Sequence, residues 1–147
     1  MSKKIPPRTS ATSAVKFIVY GRMAVKTIFI FYIYFMIIWH NNRCGKSRDA
    51  LQILEEKGIK FEVVKYLENP PTAKEIKDVL KKAGIKAHDL IRTGESIYKE
   101  LYKGKTLSEN EWIEAMVTHP ILIERPVVIH GNKALIARPP ERVLEIL

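Results

Sequence analysis

What the chain is short of bounds it first. Across 147 residues there is one cysteine, Cys44. That excludes an intramolecular disulfide framework, a two-cysteine redox motif and any cysteine-rich zinc site. If Cys44 cycles through a disulfide, the second sulfur must come from another molecule, and a reducing, cytoplasmic setting suits that chemistry. His88, His119 and His130 are scattered without metal-ligand spacing, so they are expected to be structural and no metal is expected. Acid is missing from the first third. Residues 1–48 carry nine Lys or Arg and no Asp or Glu, whereas residues 49–147 carry sixteen of each sign, so the net charge of +9 arises wholly upstream. Nothing downstream forms a basic stripe with interleaved aromatics, and nucleic acid is not an expected partner.

A membrane-spanning run is also lacking. The longest uncharged stretch, Thr27 to Trp39, has thirteen residues, and crossing a bilayer takes about 20. No small-residue cleavage site follows it, as a signal peptide would need. Residues 1–35 are polar with Pro6-Pro7 at first, then apolar and aromatic but interrupted by Lys16, Arg22 and Lys26. They are expected to be a dispensable extension; the alternative is a weak anchor at a membrane surface. Residues 36–147 read as a complete small domain, expected to be a monomer.

One stretch organises that domain: Ile37-Ile38-Trp39-His40-Asn41-Asn42-Arg43-Cys44-Gly45-Lys46-Ser47-Arg48. An apolar run ends in a polar turn, and the cysteine sits where a helix should begin. Free N–H groups and the positive end of the helix dipole favour a thiolate there, as do the cationic Arg43, Lys46 and Arg48. Gly45-Lys46-Ser47 resembles the end of a phosphate-binding P-loop, but His40 stands where that motif needs its first glycine. A cysteine-phosphatase loop needs an arginine six residues after the cysteine, and Ala50 is there. A buried, inert cysteine would have apolar flanks rather than these. Cys44 therefore reads as a nucleophile beside an anion site.

The remaining elements follow in order. Phe35 to Trp39 predicts a central buried strand, 45–58 a helix stopped by Gly58, and Phe61 to Tyr66 a second strand parallel to the first. Thr72 and Glu75 form a capping box before Ile76, Val79, Leu80 and Ala83, whose spacing predicts a helix to Gly84. Short helical pieces are expected at Ala87 to Ile91 and Glu95 to Tyr102, with Tyr98 and Tyr102 in packing roles. A second capping box, Ser108 with Glu111, precedes Trp112, Ala115, Met116 and His119, a core-facing stripe. Residues 126–130 and 134–137 flank the turn Gly131-Asn132-Lys133 as a hairpin, and Pro139-Pro140 open a last helix to Leu147. The order is βαβ, a helical block, then ββα.

From Met36 to Leu147 the chain resembles the arsenate reductase family of the thioredoxin superfamily, the type that uses glutathione and glutaredoxin. The likeness rests on His40-Asn41 with Cys44-Gly45 and Ser47-Arg48; on Tyr66-Leu67-Glu68-Asn69-Pro70-Pro71; on Leu90-Ile91-Arg92; on His119 to Pro126; and on Ala137-Arg138-Pro139-Pro140. It implies a thioredoxin-like α/β fold, with a four-stranded mixed sheet and a helical insertion. It also implies that Cys44 is the nucleophile and that Arg92, Arg125 and Arg138 hold an oxyanion such as arsenate. His40 would help keep the cysteine ionised, Arg48 and Ser47 would support the loop, and Arg125-Pro126 would be a cis peptide facing the cysteine. No bound cofactor is implied; glutathione would be a co-substrate and glutaredoxin a partner. Lys46 departs from the small residue of the characterised enzymes. Members with similar motifs include general thiol oxidoreductases. A different class, the RNA-polymerase-binding regulators of this fold, senses oxidation through Cys-x-x-Cys, and Ser47 occupies the second cysteine's place.

Overall fold

The computed structural model describes residues 35–147. The extension expected to be dispensable thus lies, except for Phe35, outside the described residues. The chain runs β1 (Met36–His40), α1 (Gly45–Glu56), β2 (Phe61–Lys65), α2 (Ala73–Ala83), a 3-10 turn (Ala87–Leu90), α3 (Ser96–Leu101), α4 (Glu109–Thr118), a second 3-10 turn (Pro120–Leu122), β3 (Val127–His130), β4 (Lys133–Ile136) and a 3-10 segment (Pro140–Ile146). The four strands make one mixed sheet in the order β2-β1-β3-β4. β1 pairs parallel with β2 and antiparallel with β3, which pairs antiparallel with β4. This is the thioredoxin-like α/β architecture expected from the sequence.

Strand alternation divides the core in two. Met36 and Ile38 point to one face, where they meet Ala50 and Leu54 of α1 and Val143 and Ile146 of the last segment. Trp39 points to the other, among Ile76, Val79 and Leu80 of α2 and Trp112 and Met116 of α4. β1 is therefore covered on both sides, which is why its sequence is almost continuously apolar.

Helix ends follow local chemistry. Thr72 and Ser108 each accept from the backbone N–H three residues on, while Glu75 and Glu111 reach back to the cap N–H groups. α1 ends two residues earlier than the sequence suggests. Gly58 takes φ 66°, its N–H reaching Glu55 O and that of Ile59 reaching Leu54 O, so the glycine lies just past the helix in a Schellman closure. The hairpin turn has Gly131 at its first central position with φ 59°, as primed turns need. The last element is not an α-helix. Pro140, Val143 and Ile146 are its buried residues, and their spacing of three matches the 3-10 repeat rather than 3.6.

Candidate functional site

The topology brings distant residues to one end of the sheet. β1 and β2 run parallel, and their carboxyl ends deliver the Cys44 loop and Tyr66 side by side. The antiparallel partner β3 begins there, so Arg125 and Pro126 lie just ahead of Val127, the residue opposite Trp39. β4 ends there too: Ile136 pairs with Val127, and Arg138 follows it by two residues. In open α/β sheets, ligands take this position beyond the carboxyl ends of the parallel strands.

Cys44 is the N-cap of α1, in extended conformation with φ −98° and ψ 119°. Its carbonyl accepts the first helical N–H groups, from Ser47 and Arg48, each at 3.1 Å. Its side chain makes no capping hydrogen bond and is partly exposed. The loop before it is held by short bonds. The Cys44 N–H donates to Asn41 O at 3.0 Å, and that of Arg43 to Asn41 Oδ1 at 2.9 Å. Ser47 is fully buried; its Oγ lies 2.8 Å from His40 Nδ1 and accepts the Asn41 N–H at 3.1 Å. Gly45, Lys46 and Arg48 are exposed around the helix start.

His40 is buried at the end of β1. Burial lowers its pKa below the ordinary histidine value; the Ser47 bond works the other way, and Lys65 and Arg48 lower it further. At neutral pH the ring is therefore uncharged. What it gives the loop is a hydrogen bond rather than a positive charge.

The three arginines gather around two carboxylates. Glu95 Oε1 lies 2.7 Å from Arg92 Nε and 3.0 Å from an Arg125 terminal nitrogen. Glu124 Oε2 lies 2.9 Å from Arg138 and 4.0 Å from Arg92. Arg92 is set in place by backbone: its N–H donates to Leu122 O at 2.7 Å, and that of Glu124 donates to Leu90 O at 2.8 Å, around the Ile91–Ile123 bridge. Arg125 is buried, and one terminal nitrogen also donates to Ile121 O at 3.2 Å. Burial opposes its charge, but Tyr66, Glu95 and Cys44 outweigh that and raise its pKa. The Nε atoms of Arg92 and Arg125 are both buried without an aligned hydrogen-bond partner. The Arg125–Pro126 peptide is cis, as expected, and so is Arg138–Pro139.

Tyr66, Glu95 and Glu124 are the site's residues that sequence reasoning left without a role. Tyr66 is fully buried, its hydroxyl donating a long 3.4 Å bond to Ile123 O. Burial pushes its pKa up to about 12, and Arg125, Glu95, Cys44 and Arg92 all lie within electrostatic reach. It stays a neutral donor throughout the physiological range. The signals for the other two were available: Glu95 stands three residues after Arg92, and Glu124 adjoins Arg125.

The pattern of the ArsC family matches residues 39–146. The chain belongs to the ArsC family. It is 50% identical over 112 residues to YfgD of Escherichia coli strain K12, an uncharacterised protein, covering 75% of this chain and 94% of that one. With the arsenate reductase of Haemophilus influenzae it shares 45% over 114 residues, covering 76% of this chain and 98% of the relative. The solved arsenate reductase from Vibrio cholerae superposes with a TM-score of 0.75 at 43% identity, covering 78% of this chain and 98% of that one. Among the described residues of this ArsC-family chain, no cluster of His, Cys, Asp or Glu is placed to hold a metal, and no helix is long and apolar enough to cross a membrane.

Proposed function

We propose that this ArsC-family protein is a thiol-dependent oxidoreductase that reduces arsenate to arsenite. The observation that supports the reading is geometric: Cys44 stands at a helix N-terminus beyond the end of β1, and Arg125, buried and holding an N–H without a partner, stands just ahead of the paired strand β3 at the same end of the sheet. Arginine donates paired hydrogen bonds to an oxyanion and keeps its charge when buried. Arg92, Arg125 and Arg138 hold the arsenate oxygens, and the Cys44 thiolate attacks arsenic(V). A sulfur–arsenic bond forms as one oxygen leaves as water. Glutathione thiolate then attacks the Cys44 sulfur. The new sulfur–sulfur bond forms as the sulfur–arsenic bond breaks, and that electron pair passes to arsenic, releasing arsenite. Glutaredoxin thiolate takes the glutathionyl group and frees Cys44.

His40 and Ser47 position the loop, and Arg48 adds positive field at the helix start. Pro126 sets the backbone opposite β1. A reducing cytoplasmic setting, with glutathione in supply and the protein acting as a monomer, fits the single cysteine. Replacement of Cys44 by Ser should abolish turnover in a coupled assay with glutathione, glutaredoxin and arsenate, a loss of at least about a thousandfold given what a removed nucleophile costs. Undiminished turnover in the variant would overturn Cys44 as the nucleophile, and no turnover by wild type above the uncatalysed rate would favour a binding role for the fold, such as docking to RNA polymerase.

A further inference from the structure

Resting on that reading, we infer that Glu95 is a built-in stand-in for the substrate: its carboxylate occupies Arg92 and Arg125 in the free protein, and the incoming oxyanion displaces it. Three observations carry this. One carboxylate oxygen is shared by both guanidinium groups, at 2.7 Å and 3.0 Å, so a single anionic atom already sits between two of the expected oxyanion ligands. The contact meets the arginines' charge but not all their directional needs: Arg92 Nε, 2.7 Å from that oxygen, is poorly aligned with it, and the buried Nε of Arg125 has no acceptor. A tetrahedral oxyanion offers several oxygens at different angles and can engage donors that one carboxylate oxygen leaves idle. Third, Glu95 is the N-cap residue of α3, yet its side chain makes no capping bond. The carboxylate is turned to the arginines rather than to its own helix.

Displacement makes Glu95 a specificity-determining residue. An anion binds only if its contacts exceed those of the carboxylate it evicts. A monatomic anion such as chloride offers no set of divergent acceptors and fails that test, whereas a tetrahedral oxyanion passes it. Glu124, which bridges Arg138 and Arg92 at 2.9 Å and 4.0 Å, leaves the third arginine oriented while this exchange occurs.

The test uses inorganic phosphate, a tetrahedral oxyanion that thiols do not reduce, titrated calorimetrically into the full-length protein at low chloride. Glu95→Gln keeps an acceptor between the arginines but removes the competing charge. It should bind phosphate about tenfold more tightly than wild type, the weight of one charge-assisted contact. Chloride should compete with phosphate in the variant far better than in wild type. The variant should also melt lower without phosphate and recover more when phosphate is added. Glu95→Asp, which keeps the charge on a shorter arm, should bind phosphate more tightly by a smaller factor, and it decides the matter if the Gln variant fails to fold. Unchanged or weaker phosphate binding in both variants, with wild type binding normally, would overturn the displacement and leave the oxyanion reading standing. Failure of wild type to bind either phosphate or arsenate would overturn both.

Discussion

At the residue scale, His40 shows how burial changes what a side chain can contribute. Its place in the active loop suggests a cation beside the sulfur, but desolvation at the end of β1 lowers its pKa, with Lys65 and Arg48 adding to the effect. The unfolded chain therefore binds a proton more readily than the folded one. Stability attributable to His40 is fully present above the unfolded value of about 6.5 and is lost as pH falls through the lower folded value. Wild type should melt at a lower temperature at pH 5 than at pH 7, and His40→Gln should flatten part of that slope. Parallel melting curves of the two proteins against pH would show that His40 is not the titrating group. Tyr66 carries the opposite lesson. A phenol pushed up to about 12 by burial acts only as a neutral donor in this range, so it adds no titration to the pH dependence of the site.

At the element scale, the two capping boxes give a stability prediction separable from chemistry. Thr72 accepts from the Glu75 N–H at 3.3 Å and Ser108 from the Glu111 N–H at 3.4 Å, in each case with the glutamate reaching back at 2.7 Å. Thr72→Ala or Ser108→Ala should each lower unfolding free energy by about 1 kcal/mol, read by urea denaturation, with arsenate kinetics unchanged. These motifs were legible in the sequence because both partners sit within one turn of each other. The strands of β1 and β3 were legible for a similar reason, since burial on both faces writes a continuous apolar run. The last segment was misread as an α-helix because prolines and apolar residues signal helix type only through their spacing, and Pro140, Val143 and Ile146 repeat every three. The site was legible in part. Cys44 could be singled out from its loop, and the arginines came from the family likeness. The spacing of three marks Glu95 as a neighbour of Arg92, but that Glu95 also reaches Arg125 and Glu124 reaches towards Arg92 follows from the Ile91–Ile123 bridge, a contact between residues far apart in sequence.

At the scale of the whole molecule, the site is assembled from four places in the chain that only the folded sheet unites: the loop after β1, the residue after β2, the helical block bearing Arg92 and Glu95, and the two ends of the β3–β4 hairpin. Every one of these lies between Met36 and Leu147. Both described core clusters are likewise built from residues of this span. The ArsC pattern begins at residue 39, and the Haemophilus influenzae relative is covered over 98% of its length by 114 residues of this chain. The site residues named above all follow residue 35 in the sequence. A chain starting at Met36 should therefore fold with the same cooperative unfolding transition and reduce arsenate within about twofold of the full-length rate, since it keeps both described core clusters and every named site residue. Denaturation curves and the coupled assay run on both chains check this. Loss of the folding transition in the shorter chain would assign the first 35 residues a structural part. A folded shorter chain without turnover would assign them a catalytic one. Retained turnover with lost binding to anionic lipid vesicles would instead mark them as an anchor at a membrane surface.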